Sequence, residues 1–144
     1  MIRQATTQDA SAVAALSLQL WPDHTPEEMT AEFATLLASP EAAVFLAEEG
    51  DAAVGFAQCQ LRHDYVEGAS QSPTGYLEGV YVAPSHQHRG VARALLAACE
   101  AWAKAQGCAE FASDCEIDNT ASLAFHLHTG FEEASRNIHF IKAL

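Results

Sequence analysis

Residues 76–92 read Tyr76-Leu77-Glu78-Gly79-Val80-Tyr81-Val82-Ala83-Pro84-Ser85-His86-Gln87-His88-Arg89-Gly90-Val91-Ala92. The first seven are apolar, β-branched or aromatic apart from Glu78 and Gly79, and they predict a central strand. From Val91 onward, Leu95, Ala98 and Trp102 recur at the spacing of one helix face until Gly107 stops the pattern. A strand therefore feeds a helix through a glycine-containing turn. Gly90 and Ala92 let a ligand approach the backbone there, and free N–H groups with the helix dipole suit pyrophosphate oxygens. Arg89 adds positive charge. Glu78 and Gly79 interrupt the apolar run, an interruption that needs a physical reason.

Upstream of this unit, Ile2 to Ala5 forms a short strand, and Thr6 with Asp9 makes a capping-box start for a helix running through Leu20. Thr25-Pro26-Glu27-Glu28 supplies a second start, followed by the apolar residues Met29, Phe33, Leu36 and Leu37. Pro22 and the cap at Thr25 force a connection between the helices, which places Trp21 and His24 on a loop. Ala43 to Glu48 and Ala53 to Leu61 read as a hairpin around Gly50-Asp51. Arg62 to Gly75 is a polar excursion whose one large ring before Tyr76 is Tyr65.

Downstream, Cys108 to Ser113 predicts another strand. Asp118 or Asn119 caps a short helix to about Thr129, closed by Gly130. Phe131 to Ala134 and Asn137 to Lys142 are expected as a terminal strand pair. The order β-α-α-β-β-β-α-β-α-β-β, without repeat or linker, implies one domain over residues 1–144: a mixed sheet covered by helices.

Seven Lys plus Arg against nineteen Asp plus Glu leave a net charge of −12. That balance repels nucleic acid and anionic membranes and suits a polycationic partner, although acidity also serves solubility alone. The start Met1 to Asp9 lacks a signal-peptide core and no apolar run is of membrane-spanning length, so a soluble, cytoplasmic protein is expected. Cys59, Cys99, Cys108 and Cys115 show no C-x-x-C spacing and are expected as reduced, structural thiols. His86 and His88 lack a third ligand nearby, and His126 and His128 face different sides of their helix, so no metal is expected.

The motif Gln87-x-x-Gly90-x-Ala92 at a strand-to-helix turn resembles the acyl-CoA signature of the GCN5-related N-acetyltransferase superfamily. The element order agrees over essentially the whole chain. The resemblance implies an α/β (α+β) fold, with a central mixed, mostly antiparallel sheet flanked by about four helices. It implies acetyl-CoA as co-substrate, held by Val80, Tyr81, Val82, Gln87, His88, Arg89, Gly90, Val91 and Ala92. Asn119, ahead of a helix and Gly130-Phe131, resembles the superfamily's contact to the pantetheine arm; it also reads as a simple helix cap, and the two roles are compatible.

A narrower resemblance rests on Trp21, Tyr65-Val66 with Gly68, Ser72-Pro73 with Gly75 to Val82, Trp102-Ala103-Lys104 and Glu110 to Asp114. These are similar to aminoglycoside 6'-N-acetyltransferases. By that resemblance Trp21, His24, Tyr65, Glu78 and Asp114 line the antibiotic site, the reaction is acetylation of the 6'-amine, and the assembly is a homodimer. Glu78 and Asp114 lie at the ends of apolar strands, where carboxylates are costly to bury without a ligand or an internal partner. Paired carboxylates can hold an ammonium while Trp21 and Tyr65 cover sugar faces, with cation–π help of about 1 kcal/mol. The other reading makes Glu78 a β-bulge surface residue and Asp114 a loop cap.

Direct attack of a neutral amine on the thioester needs a polarised carbonyl and a proton for the leaving thiolate. Glu78 or Asp114 can pass the amine's proton to water, and Val80's N–H is the oxyanion candidate if strands splay beside Gly79. Many superfamily members place a tyrosine seven residues after the asparagine to protonate the thiolate. Here that position is His126, which reads equally as the proton donor or as a packed histidine. The resemblance also implies an acidic substrate contact shortly after the Gly-Phe pair, where this chain has Ser135 instead, with Glu132 or Glu133 to compensate. Acetylation of polyamines or proteins, and acyl-CoA binding without catalysis, are the alternative functions.

Overall fold

The computed structural model describes residues 1–144. Its elements run β1 (Ile2–Gln4), α1 (Ala10–Ser17), α2 (Pro26–Leu37), β2 (Ala42–Glu49), β3 (Ala52–Arg62), β4 (Thr74–Val82), α3 (Val91–Ala105), β5 (Phe111–Ala112) and α4 (Thr120–His128). The strands form one five-stranded sheet in the order β1-β2-β3-β4-β5. Every neighbouring pair is antiparallel except β4 with β5. This is the expected mixed, mostly antiparallel sheet, with four α-helices about it.

Helix starts follow the local chemistry. Thr25 accepts from the Glu28 N–H at 3.1 Å while the Glu28 carboxylate accepts from the Thr25 N–H at 3.4 Å, closing the capping box before Pro26. At the first helix, the Thr6 N–H donates to Asp9 Oδ2 at 2.8 Å. Arg3 then grips Asp9 with two bonds of 2.8 and 2.9 Å and reaches Glu48 at 2.8 Å, tying the edge strand to the first helix start and to β2.

Two apolar layers cover the sheet. Val13, Ala14, Met29 and Phe33 of α1 and α2 pack on Val44, Leu46 and Phe56. On the opposite layer Leu95, Leu96 and Cys99 of α3 pack on Ala43, Ala57, Cys59, Leu77 and Val82. Leu95 is fully buried, so truncation to alanine would cost about 2–5 kcal/mol. The four cysteines are free, Cys59 and Cys99 within this second core.

Three expectations are corrected. The helix expected through Leu20 ends at Ser17, whose hydroxyl turns back to the Ala14 carbonyl at 2.8 Å; the backbone then tightens through Leu20 to Trp21. The strand expected over Cys108–Ser113 pairs with β4 only at Phe111 and Ala112. The terminal pair expected at Phe131–Ala134 and Asn137–Lys142 does not form: after α4 the chain has no regular structure. Ile138, Phe140, Ile141 and Leu144 stand exposed there, and a strand with no partner for its peptide groups gains nothing from extension.

Candidate active site

β4 explains its own interruption. Gln58 of β3 pairs with Gly79 and Cys59 with Leu77, so Glu78 has no residue opposite it and forms a β-bulge. A bulge sets two consecutive side chains towards one side of the sheet, and here that is the α1–α2 side. An ideal Cβ on Gly79 would come within 2.8 Å of the Trp21 indole, so glycine is what allows the ring to lie on the strand. Trp21 is half-buried and meets Phe56 edge-on at 6.3 Å. Glu78 thus sits at a β-bulge, as one of its two readings has it, but its side chain is only 17% exposed and is not a surface residue.

Glu78 is not left to solvent. Arg62, the last residue of β3, donates from Nε to Glu78 Oε2 at 3.0 Å and from Nη2 to Oε1 at 2.8 Å, a bidentate pair. The same guanidinium lies 3.5 Å above the centre of the Tyr76 ring. The Tyr76 hydroxyl donates to Asp114. Glu78, Arg62, Tyr76 and Asp114 thus form one connected cluster. Burial and the Asp114 carboxylate push the Tyr76 hydroxyl above its ordinary range, and the bond to Glu78 holds the Arg62 charge firmly in place.

The remaining expected acceptor contacts sit apart. His24 is exposed and directs Nδ1 at Glu28, 3.6 Å away. Tyr65 is 81% exposed and donates to Glu67 at 2.8 Å, which raises its hydroxyl. Its loop is fastened by Glu110, whose Oε1 accepts from the Ser70 N–H, the Ser70 hydroxyl and the Gln71 N–H at 2.8, 3.0 and 3.2 Å. Those bonds hold the Glu110 carboxyl below its ordinary value. Glu132, Glu133 and Ser135 are exposed, and Glu133 pairs with Arg136.

The donor side follows from the splay of the last two strands. β5 pairs with β4 only at Gly75 and Tyr76, so beyond Leu77 the outer edge of β4 through Val80, Tyr81 and Val82 has no strand partner. At its end, Gln87 donates its side-chain amide to the Val82 carbonyl at 3.0 Å and so anchors the turn to β4. His88 and Gly90 both adopt left-handed φ, 62° and 81°, on either side of Arg89. Ala94 is the first residue of α3 with a helical bond, to Gly90 at 3.0 Å, leaving the N–H groups of Val91, Ala92 and Arg93 at an open, positive helix end. Nothing lies within 4 Å of an ideal Cβ on Gly90. An open, donor-rich turn of this kind fits the pyrophosphate of a CoA thioester.

Asn119 caps α4 by accepting from Ser122 N–H at 3.0 Å through Oδ1, which leaves its amide donors available. His126 is half-buried with both ring nitrogens engaged: Nδ1 on the Ser122 carbonyl at 2.7 Å, Nε2 on the Ser113 hydroxyl at 2.8 Å. Ser113 also reaches the Leu77 carbonyl, 3.3 Å away across the splay. Arg62, Tyr76 as the cluster's linking residue, Ser113 and Glu110 went unassigned from the sequence. The one available signal was a lone arginine where an acidic chain leaves a strand for a loop. No three His, Cys, Asp or Glu side chains gather as a metal-holding group, and no helix is long and apolar enough to cross a membrane.

Residues 11–131 match the acetyltransferase (GNAT) family. The chain is 50% identical over 140 residues to aminoglycoside N(6')-acetyltransferase type 1 of Stenotrophomonas maltophilia, covering 96% of this chain and 90% of the relative. Among solved structures it is similar to aminoglycoside N-acetyltransferase AAC(6')-Iy in complex with CoA, with a TM-score of 0.96, 40% identity and coverage of 100% and 95%. AAC(6')-Iy in complex with the bisubstrate analogue CoA-S-monomethyl-acetylneamine matches with a TM-score of 0.95, 40% identity and coverage of 100% and 98%.

Proposed function

The chain belongs to the acetyltransferase (GNAT) family and, within it, to the aminoglycoside 6'-N-acetyltransferases, and from that footing we propose that it moves acetyl from acetyl-CoA to the 6'-amine of an aminoglycoside. The observation that carries the reading is the cluster that joins Glu78 of β4, through Arg62 and Tyr76, to Asp114 just after β5, with Trp21 over Gly79 on the strand that leads into the Gln87–Ala92 turn. β4 carries one of the cation-holding carboxylates and leads into the anion-holding turn. One ternary complex can therefore form along that strand, with residues 1–144 acting as a single catalytic unit. The activity would confer resistance to the antibiotic.

In the reaction, Glu78 and Asp114 hold the acceptor's ammonium groups and water carries off the proton of the attacking amine. Trp21 and Tyr65 cover sugar faces, with His24 at the rim. The amine nitrogen bonds to the thioester carbonyl carbon as the carbon–sulfur bond breaks, and the N–H of Val80 on the unpaired β4 edge stabilises the developing oxyanion. Tyr81 and Val82 extend that edge to the pantetheine arm, which Asn119 also meets. His126 supplies the thiolate's proton through Ser113: with Nδ1–H held on the Ser122 carbonyl, the imidazolium form passes its Nε2–H to the serine oxygen while the serine proton moves to sulfur, leaving a neutral imidazole and the CoA thiol.

We read the protein as cytoplasmic, in keeping with its free cysteines, and as a homodimer, in keeping with the apolar residues exposed after α4. Purified protein with acetyl-CoA should release CoA on addition of kanamycin or tobramycin. Release with spermidine or a basic peptide but with no aminoglycoside would contradict the acceptor assignment, and binding of acetyl-CoA with no turnover on any amine would contradict the enzyme reading.

A further inference from the structure

We propose that Arg62 is the positioning residue of the acceptor site, fixing the Glu78 carboxylate where the acceptor ammonium meets it; the inference rests on the acceptor reading given above. Glu78 stands at the unopposed position of the bulge, so the pairing of β3 and β4 does not itself aim its side chain. A glutamate in that position has several rotamers available. The Arg62 fork removes that freedom by engaging both carboxylate oxygens, and its own plane is held against the Tyr76 ring. Tyr76 in turn holds Asp114. A single guanidinium thus sets the spacing of both acceptor carboxylates.

The pairing leaves the site competent. Each carboxylate oxygen offers two lone pairs and gives one to Arg62, so the other can accept from an ammonium. Two carboxylates and one guanidinium carry one net negative charge, enough to attract a cation without the mutual repulsion of bare carboxylates at close range. Aromatic support under the guanidinium explains why arginine rather than lysine fits here: an ammonium cannot present two parallel N–H groups while stacking. In a chain with seven Lys plus Arg against nineteen Asp plus Glu, a cation placed among the acceptor residues is a costly use of positive charge if it serves only solubility. The pair is also partly open, with 38% of the Arg62 side chain exposed, and pairs of that kind contribute little to folding.

The test compares Arg62→Gln, Arg62→Lys, Glu78→Gln and the Arg62→Gln/Glu78→Gln double variant in steady-state acetylation of kanamycin. Arg62→Gln should lower kcat/KM for the aminoglycoside by about tenfold or more and leave the KM for acetyl-CoA within about twofold, and Arg62→Lys should fall between it and the parent. The double variant should be no worse than Glu78→Gln alone, because Arg62 acts through that carboxylate. Equal loss for both substrates, no loss in Arg62→Gln, or multiplying losses in the double variant would overturn the proposal. Calorimetric titration of kanamycin into the same variants makes the same comparison without turnover. Failure of the activity and failure of Arg62's role are thereby read separately.

Discussion

The Trp21 indole occupies the space into which a Gly79 side chain would project: a Cβ there would stand 2.8 and 2.9 Å from two of its ring carbons and 3.4 Å from Leu20 Cδ1. The loop after α1 and the bulge of β4 are therefore shaped to one another, and the indole's position over the proposed acceptor face depends on the missing side chain. Gly79→Ala should displace the indole, destabilise the fold by about 1–3 kcal/mol and raise the aminoglycoside KM more than the acetyl-CoA KM. Denaturant titration with two-substrate kinetics checks this; an unchanged aminoglycoside KM would show that the ring does not contact the acceptor.

Gly90 poses the opposite case, with open space around it but a φ of 81°. Gly90→Ala meets no clash and pays only for the left-handed backbone, about 1–2 kcal/mol. Because that backbone shapes the turn proposed to bind the pyrophosphate, acetyl-CoA affinity should fall while aminoglycoside affinity holds. Gly90→Asn, which tolerates left-handed φ better, should fall less. Calorimetric titration of CoA into both variants gives the order.

His126 and Ser113 form a two-residue route from α4 to the end of β5. Ser113→Ala and His126→Ala should each lower kcat while leaving the acetyl-CoA KM largely unchanged, and the double variant should be little worse than either alone. A histidine that only packs α4 would instead lower the unfolding temperature and leave kcat intact.

Stability should depend on pH through Arg3. Its guanidinium holds the Asp9 and Glu48 carboxyls below their ordinary values of 3.8 and 4.5. A folded value below the unfolded one means stability that is present in full above the ordinary value and lost as the pH falls through the folded one. Arg3→Gln should therefore lower the urea midpoint most at neutral pH, and its difference from the parent should shrink as the pH drops below 3.8. A pH-independent difference would contradict this account.

The sequence made the helix starts legible because capping boxes are local: Thr6 with Asp9 and Thr25 with Glu28 form as the residue order implies. The donor turn was legible for the same reason, since Gln87 to Ala92 is contiguous. Glu78 could be flagged as an anomaly in an apolar run, but its partner could not be named. Arg62 reaches it only because β3 and β4 pair antiparallel, and Tyr76 meets Asp114 only because β5 docks parallel beside β4. The terminal residues Asn137 to Lys142 carry a strand-like pattern whose realisation depends on a partner, and pattern alone does not supply one.

Acetyl transfer to the 6'-nitrogen is the claim on which the site assignment stands. Its most direct measurement compares kanamycin with an otherwise similar aminoglycoside bearing a 6'-hydroxyl in place of the amine, following CoA release and locating the acetyl group by two-dimensional NMR of the product. Stoichiometric CoA release with acetyl on the 6'-nitrogen of kanamycin is expected, and none with the 6'-hydroxyl compound. Equal turnover of both, or acetyl found on another amine, would contradict it.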